Sequence, residues 1–187
     1  MGGCDGVGEL VNSFALVSYL SGPLLEFLDR LRAELVHECV GKAHLTFLPP
    51  RPLVCPPEEA CKELRSRLRE FQPFRVELSE VEVFQATQVI YLSLKRGRAE
   101  ASRVHSVLNV GCLHFAEPFP YHPHVTLGRD ISPENVPGAV EIAVRRWAEF
   151  RGRHDFTVDQ LVFVQNTLDN RWIDLAGCEL DHSNIRI

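Results

Sequence analysis

The order of apolar and polar positions predicts a chain in which short strands alternate with amphipathic helices. Residues 13–20, SFALVSYL, form a brief apolar run with aromatic and β-branched members, which is typical of a strand. In residues 21–40, leucines recur every three or four positions behind a proline in the first turn, a pattern that predicts a helix. A strand followed by a helix is therefore the first unit of the fold.

The same alternation continues towards the C-terminus. Strands are predicted at 41–48, 74–85, 87–96, 124–127, 156–165 and 171–180, and helices at 56–71, 97–111 and 132–150. The proline-rich segment 48–57, LPPRPLVCPP, lies between the second strand and the second helix. We expect it to be a surface loop, because proline lacks the backbone N–H that a sheet ladder needs.

Two halves of the chain resemble each other. The alignment pairs His44 with His124 at an offset of 80 residues, Phe74 with Phe156 at 82, and residues 90–92 with residues 173–175 at 83. Each half then consists of strand, helix, strand, helix and strand. Chance similarity between two α+β halves is the alternative, since elements of similar length always align in part. Duplication is the interpretation that we favour.

Duplication has a geometric consequence. It predicts an α+β fold with two pseudo-symmetric lobes around a central cleft, each lobe an antiparallel-rich sheet with helices packed outside. A pseudo-two-fold axis between the lobes brings equivalent strands together. His44 and His124 would then face each other across the cleft.

Composition narrows the class of protein. The chain of 187 residues is 45% hydrophobic and carries a formal charge of −5, so long duplex binding is disfavoured and a local cleft for a small phosphate ligand or a nucleic-acid end is favoured. We expect residues 1–12 to be a flexible tail and residues 13–187 to be one two-lobed, monomeric domain. No apolar run approaches the roughly 18 residues that span a bilayer. The six cysteines form no CxxC pair, which suggests reduced thiols, a cytoplasmic location and no zinc site.

The two aligned histidines each belong to a histidine–any residue–threonine (HxT) motif. Alternation along a strand places His44 and Thr46 on one face, and likewise His124 and Thr126. A single such pair is more often part of a core, but two pairs suit displacement at phosphorus. One neutral imidazole takes a proton from the attacking oxygen, and the other, protonated, gives one to the leaving oxygen. The threonine hydroxyls would bind the phosphate oxygens.

Three further residues are candidates for substrate binding. Arg129 reaches the cleft if the strand ends or bulges near Gly128, and Arg51 in the proline-rich segment is a weaker partner. Tyr121 precedes the second motif, where it would stack on a base or pack against the protein. His122 forms an HxH with His124, but the intervening proline and the lack of nearby paired carboxylates disfavour a metal site.

The basic run Lys95, Arg96 and Arg98 is either a solvated turn or a guide for an RNA end.

The two motifs, HLTFL at 44–48 and PYHPHVTLGR at 120–129, give the chain a family resemblance. It resembles the 2H phosphoesterase superfamily, which includes RNA 2′,3′-cyclic phosphodiesterases once described as 2′-5′ RNA ligases. The resemblance spans about residues 13–179, and its second motif is the more specific. In the first motif Phe47 stands where leucine is common, and LPPRPL has no counterpart. The resemblance implies a two-lobed α+β fold, a cofactor-free and metal-free reaction, and His44, Thr46, His124 and Thr126 as catalytic residues.

The leading hypothesis is a metal-independent phosphodiesterase that opens a 2′,3′-cyclic phosphate on a nucleotide or an RNA end. Within the same superfamily the alternative substrates are 2′-5′ linked oligonucleotides and ADP-ribose 1″,2″-cyclic phosphate. The alternative reactions are ligation and trimming of an RNA 3′ end. Outside enzymes, the cleft would bind a nucleotide or RNA without turnover. Pure binding needs hydrogen-bond donors and not two matched imidazoles, which favours catalysis.

Overall fold

The computed structural model describes residues 8–36 and 41–180, in which the chain forms eight strands and four α-helices. In chain order these are β1 (Leu10–Tyr19), α1 (Gly22–Leu35), β2 (His44–Arg51), α2 (Pro57–Leu68), β3 (Phe74–Val83), β4 (Ile90–Arg96), α3 (Arg98–Leu108), a 3₁₀ turn (Gly111–Leu113), β5 (His124–Gly128), α4 (Val136–Glu149), β6 (Asp155–Val158), β7 (Gln160–Thr167) and β8 (Trp172–Glu179). Most predicted elements are present. Residues 1–7 of the predicted tail and 37–40 of the first predicted helix lie outside the described residues, and β1 already begins at Leu10.

All eight strands belong to one antiparallel sheet with the order β6-β3-β4-β5-β2-β1-β7-β8. The order is symmetric about the β5–β2 pair, so β2 corresponds to β5, β1 to β4, and β7 to β3. The predicted α+β fold with two pseudo-symmetric halves is confirmed. The alignment of residues 90–92 with residues 173–175, at an offset of 83, is wrong. It equates β4 with β8, whereas the symmetry of the sheet order relates β4 to β1.

The sheet is strongly curled. Only Asp159 separates β6 from β7, yet these strands lie near opposite ends of the strand order. The two ends of the sheet must therefore approach each other at this residue. The single strand predicted at 156–165 is wrong because backbone pairing divides it: its first part pairs with β3 and its second with β1.

The expected proline loop begins later than predicted. Strand β2 continues through Pro49 and Pro50 to Arg51, which pairs with Phe14 of β1. The register between β1 and β2 shifts at this end of β2. On its other side, β2 pairs with β5 only at Leu45, far from the prolines. Prolines are tolerated here because the irregular end of the strand leaves backbone positions outside a regular ladder.

The helices cover one face of the sheet and bury the main core. Helices α1 and α4 pack together on one half, and α2 and α3 on the other. The core includes Leu45, Phe47 and Val125 from the central strands, each fully buried. The opposite face, which we call the cleft face, carries the alternate residues of the same strands. No helix in the described part of the chain is long and apolar enough to cross a membrane.

Leu45 lies at the centre of the pseudo-symmetric sheet and is 0% exposed. We expect Leu45→Ala to lower the free energy of unfolding by about 2–5 kcal/mol, since it leaves a cavity in the core. Urea denaturation measures the change, with Val54→Ala, at a position 85% exposed, as the control expected to stay within about 0.5 kcal/mol. Equal effects for both variants would contradict the central packing role of Leu45.

Candidate active site

One backbone pairing brings the two HxT motifs together. Strands β2 and β5 are antiparallel and Leu45 pairs with Val125, so residue numbers of opposing partners add to 170. His44 is therefore opposite Thr126, and Thr46 is opposite His124. The two histidines are diagonal neighbours, which in antiparallel sheets lie about 7–8 Å apart. All four side chains share the cleft face because the buried leucine and valine point the other way.

Both histidines are anchored in the same way. Nδ1 of His44 is 2.7 Å from the carbonyl oxygen of Lys42, and Nδ1 of His124 is 2.7 Å from that of His122. A carbonyl only accepts, so each Nδ1 carries a hydrogen and donates it. In the neutral imidazole this leaves Nε2 as the unprotonated nitrogen. The two motifs thus present equivalent nitrogens for proton transfer.

The segment before His44 is held by helix α1. Asp29 accepts a hydrogen bond from the backbone N–H of Ala43 at 2.7 Å, and Arg32 donates to the carbonyl of Gly41 at 2.8 Å. Arg32 also contacts Asp29 at 3.2 Å. These bonds fix the entry into β2, so the position of His44 depends on two charged side chains that lie behind the sheet.

Burial lowers the pKa of both histidines. Burial lowers the pKa of His44 below its ordinary value, and the positive charges of Arg32, His124 and Arg129 act in the same direction against the opposing hydrogen bond to Lys42. Burial also lowers the pKa of His124 against the opposing effect of its hydrogen bond to the His122 carbonyl, and the charge of His122 lowers it further. Both imidazoles therefore stay neutral to more acidic pH than a solvated histidine does.

The threonines complete the centre of the cleft face. Thr46 and Thr126 are partly buried, and neither hydroxyl donates to another protein group within residues 8–36 and 41–180. Each hydroxyl lies opposite a histidine of the other motif. Two donors and two imidazoles therefore converge on one patch.

Arg129 follows directly after β5, which ends at Gly128 as the sequence suggested. Its side chain is 55% exposed, contacts Asp130 at 3.5 Å, and its charge acts on the pKa of His44. Asp130 has a positive φ of 59°, so the chain turns sharply here. The guanidinium of Arg129 therefore lies beyond the end of β5 that is next to His44, close enough for its charge to act on that histidine.

Arg51 does not reach this face. Its guanidinium is buried and donates to the carbonyls of Pro49 and Leu113, to Asn109 Oδ1 and to the carboxylate of Glu117. All three guanidinium nitrogens are engaged by these groups. The structure corrects the expectation that Arg51 binds substrate: its donors are used to hold the segment after α3 against β2.

Tyr121 likewise takes a structural position. Its ring stacks on His105 with centroids 3.9 Å apart, and its hydroxyl donates to the carbonyl of Thr46 at 2.7 Å. Burial raises the pKa of this hydroxyl. His105 in turn donates from Nδ1 to the carbonyl of Phe47 at 2.8 Å. Of the two positions expected for Tyr121, stacking on a base or packing against the protein, the structure has the second: Tyr121 holds the β2 strand that carries the first motif.

The rim of the cleft face contains residues that the sequence did not single out. At the His44 end, Tyr19 packs edge-on against His44 and donates to Asp174 at 2.7 Å. At the His124 end, Phe84 stacks on Tyr91 with centroids 4.0 Å apart, and both rings present edges or faces to His124. Strand alternation combined with the sheet register identifies Tyr19 and Tyr91, but that register is not readable from one sequence.

The basic run noted at 95–98 divides in the structure. Lys95 is paired with Glu77 at 2.8 Å, whereas Arg98 lies 3.4 Å from Nε2 of His122. Arg98 therefore joins the rim beside the second motif. Burial and the charge of Arg98 lower the pKa of His122. His122 and His124 belong to no group of three or more metal-ligand side chains within the described residues; the group found there is Cys55, Glu59 and Cys112, outside the cleft face.

Comparisons with known proteins agree with this fold and identify its family. The model of the 2′-5′ RNA ligase superfamily matches residues 22–170. The structure is similar to that of E. coli LigT complexed with 3′-AMP, with a TM-score of 0.63, 18% identity, and coverage of 90% of this chain and 98% of that chain. It is also similar to Kluyveromyces marxianus Usb1, with a TM-score of 0.56, 15% identity, and coverage of 88% and 97%. A search of curated proteins gives no match.

The buried position of Arg51 leads to a prediction. Arg51→Met should lower the free energy of unfolding by about 3–5 kcal/mol, because it leaves the carboxylate of Glu117 without its cation. Urea denaturation gives the cost, and Arg51→Met combined with Glu117→Gln should recover part of it. If Arg51→Met instead preserves stability and weakens phosphate binding by the folded protein, Arg51 acts on the ligand after all.

Proposed function

Because this chain belongs to the 2′-5′ RNA ligase superfamily, a group of 2H phosphoesterases, we propose that it is a metal-independent phosphodiesterase that opens 2′,3′-cyclic phosphates on nucleotides or RNA ends. One observation carries the proposal: the same Nδ1–carbonyl hydrogen bond fixes His44 and His124 and leaves both Nε2 atoms for proton transfer. Structural or pure binding roles need no such matched pair.

The proposed reaction is a displacement at phosphorus. Nε2 of His124 takes a proton from water as the water oxygen bonds to phosphorus. The bond from phosphorus to one ribose oxygen breaks, and Nε2 of protonated His44 gives that oxygen its proton. The family resemblance favours this direction, in which His44 is the acid and His124 the base.

The remaining groups of the cleft face stabilise charge in this reaction. The hydroxyls of Thr46 and Thr126 donate to the non-bridging phosphate oxygens. Arg129 at the His44 end adds a positive charge close to the leaving oxygen. Donors fixed before the reaction are effective because they need no reorganisation as negative charge develops.

The low pKa values of the two histidines fit an anionic substrate. In the free protein, burial keeps the imidazoles neutral, and protonating either is unfavourable. A cyclic phosphate carries one negative charge, and a negative charge nearby favours the protonated imidazole. Binding would therefore generate the acid that the reaction needs. A neutral ester would not do so.

The similar structures support a nucleotide as the ligand. E. coli LigT has been crystallised with 3′-AMP, with ATP and with phosphate, and K. marxianus Usb1 with uridine monophosphate. On this chain the aromatic rings of Tyr19 and Phe84 lie at opposite ends of the motif pair. We propose that one of them faces the base while the phosphate occupies the centre.

A substrate panel tests the proposed function. Cyclic nucleotides, RNA ends with a 2′,3′-cyclic phosphate, 2′-5′ dinucleotides and ADP-ribose 1″,2″-cyclic phosphate are incubated with the protein in excess EDTA, and products are separated by chromatography. We expect turnover of 2′,3′-cyclic phosphates to persist with chelator. Preferred cleavage of 2′-5′ linkages would move the assignment to that substrate, and activity restored only by a divalent ion would exclude the mechanism.

The paired histidines give a sharper prediction. Asparagine keeps an N–H near the position of Nδ1 but has no atom at Nε2, so His44→Asn and His124→Asn remove proton transfer specifically. Each should lower kcat by about 10² or more, and the double variant should be scarcely worse than the worse single one. His114→Asn, at an exposed position, is the matched control. Melting curves establish that the variants are folded; an unaffected rate in either single variant would refute the pair.

The pH dependence tests the shifted pKa values. Both histidines have pKa values below the ordinary 6.5 or so in the free protein, so the bell-shaped profile of kcat/KM should have its maximum on the acidic side of about pH 6.5. The bound anion raises both values, so the profile of kcat should lie at higher pH. Each limb describes the coupled pair and not one residue. Coincident profiles, or a single sigmoid, would contradict this account.

A further inference from the structure

Away from the cleft face, three side chains with metal-binding atoms converge. Cys55 precedes α2, Glu59 lies in its first turn, and Cys112 lies in the 3₁₀ turn after α3. Their ligand atoms all lie within 4.8 Å of one another. The two cysteines are free thiols, partly buried, and the glutamate is exposed, so the cluster is accessible from solvent. The proposed reaction uses none of these residues.

The cluster is held in place by α2. Glu63, one turn after Glu59 on the helix, accepts a hydrogen bond from the backbone N–H of Cys112 at 3.1 Å. Its other oxygen accepts from Arg67 at 2.8 Å, which fixes the carboxylate. Gly111 has a positive φ of 55° and passes so close to Glu63 that a Cβ would lie 2.4 Å from its oxygen. The turn that carries Cys112 is thus fitted against the helix that carries Glu59.

We propose that Cys55, Cys112 and Glu59 form a binding site for a thiophilic divalent cation such as Zn²⁺, with water as the fourth ligand. Thiolate and carboxylate are zinc ligands, and Zn–S bonds of about 2.3 Å in a tetrahedron place ligands a little under 4 Å apart. The cluster therefore needs a contraction of about 1 Å at most, within the reach of side-chain rotation. The lack of a CxxC pair argued against zinc at the level of the sequence, but the fold brings together two cysteines that are 57 positions apart.

The carboxylate beside the two thiols favours a metal site over a disulfide bond at this cluster. A disulfide uses only the two sulfur atoms and requires an oxidant to accept their electrons. The third ligand atom, from Glu59, has no role in that bond. In a metal site each thiol releases its proton to solvent, each sulfur bonds the cation, and the glutamate supplies a third negative ligand.

The bound cation would stabilise the segment after β2 and the segment after α3. Cys55 lies four residues after Arg51, and Cys112 lies between Asn109 and Leu113, two of the groups that bind Arg51. A cation bridging the two cysteines ties together the segments that Arg51 already joins. We infer a stabilising site, independent of the proposed function, because the cation contacts neither histidine of the cleft face.

Cobalt provides the test, since Co²⁺ in zinc sites gives intense visible bands when tetrahedral and a charge-transfer band when bound to thiolate. The reduced protein is titrated with Co²⁺ and then with Zn²⁺. We expect one equivalent of Co²⁺ with thiolate charge transfer, displacement by Zn²⁺, and a higher Tm in either metal, because a ligand that binds the native state stabilises it. Cys55→Ser and Cys112→Ser should each abolish the tetrahedral bands. Cys61→Ser, which changes a cysteine of α2 outside the cluster, should keep them.

A variant at Glu59 tests the third ligand while both cysteines stay in place. Glu59→Gln should weaken Co²⁺ binding by roughly 10-fold or more while keeping the thiolate band, and Glu58→Gln, at its exposed neighbour, should have no effect. Absence of a thiolate band, or a band that survives in Cys55→Ser and Cys112→Ser, would overturn the site. So would a Cys55–Cys112 disulfide found by mass spectrometry in protein isolated without reductant. These optical and thermal measurements stand whether or not a cyclic phosphate is turned over.

Discussion

The pairing of Leu45 with Val125 is the constraint on which the candidate site depends. A one-residue slip of β2 relative to β5 would turn Leu45 and Phe47 towards the cleft and bury the imidazole of His44 and the hydroxyl of Thr46 among the helices. The cost of burying unpaired polar groups and exposing the apolar side chains keeps the register fixed. The same contact that closes the core therefore aligns the HxT motifs. Packing on one face of the sheet sets the chemistry on the other.

Pseudo-symmetry makes the two histidines equivalent at their anchors but not in their surroundings. Lys42 and His122 occupy corresponding positions, and each supplies a carbonyl to the histidine two residues later. Arg129 corresponds to Pro49, so only one end of the cleft face has this guanidinium. The charge of Arg129 contributes to the lowered pKa of His44. Burial and the charges of Arg32 and Arg129 all lower the pKa of His44, which is consistent with its proposed role as the acid for the leaving oxygen.

The sequence alone predicted the features that depend on local pattern. The HxT motifs, the strand alternation that places His and Thr together, and most helices follow from residues close in the chain. The role of Arg51 did not, because its partners Asn109 and Glu117 lie 58 and 66 positions away. For Tyr121 the choice between stacking on a base and packing against the protein stayed open, because a single sequence does not show that His105 lies beneath its ring. The division of 156–165 into two strands likewise depends on which distant strand offers free backbone groups.

Local charge reconciles a net charge of −5 with the proposed anionic substrate. Two carboxylates lie on the rim, but Tyr19 donates to Asp174 and Tyr91 to Glu82. Both carboxylates lie on strands outside the central β5–β2 pair, whereas the charge of Arg129 acts on His44 within that pair. In a partly buried cleft a short-range charge distribution outweighs the distant net charge, because screening reduces interactions beyond roughly 8–10 Å. In the proposed complex the phosphate would lie at the centre, and uncharged groups with donors, such as ribose hydroxyls and base amines, would meet the two carboxylates of the rim. The charge pattern of the cleft face thus matches a nucleotide bound through its phosphate better than it matches a uniformly charged strand.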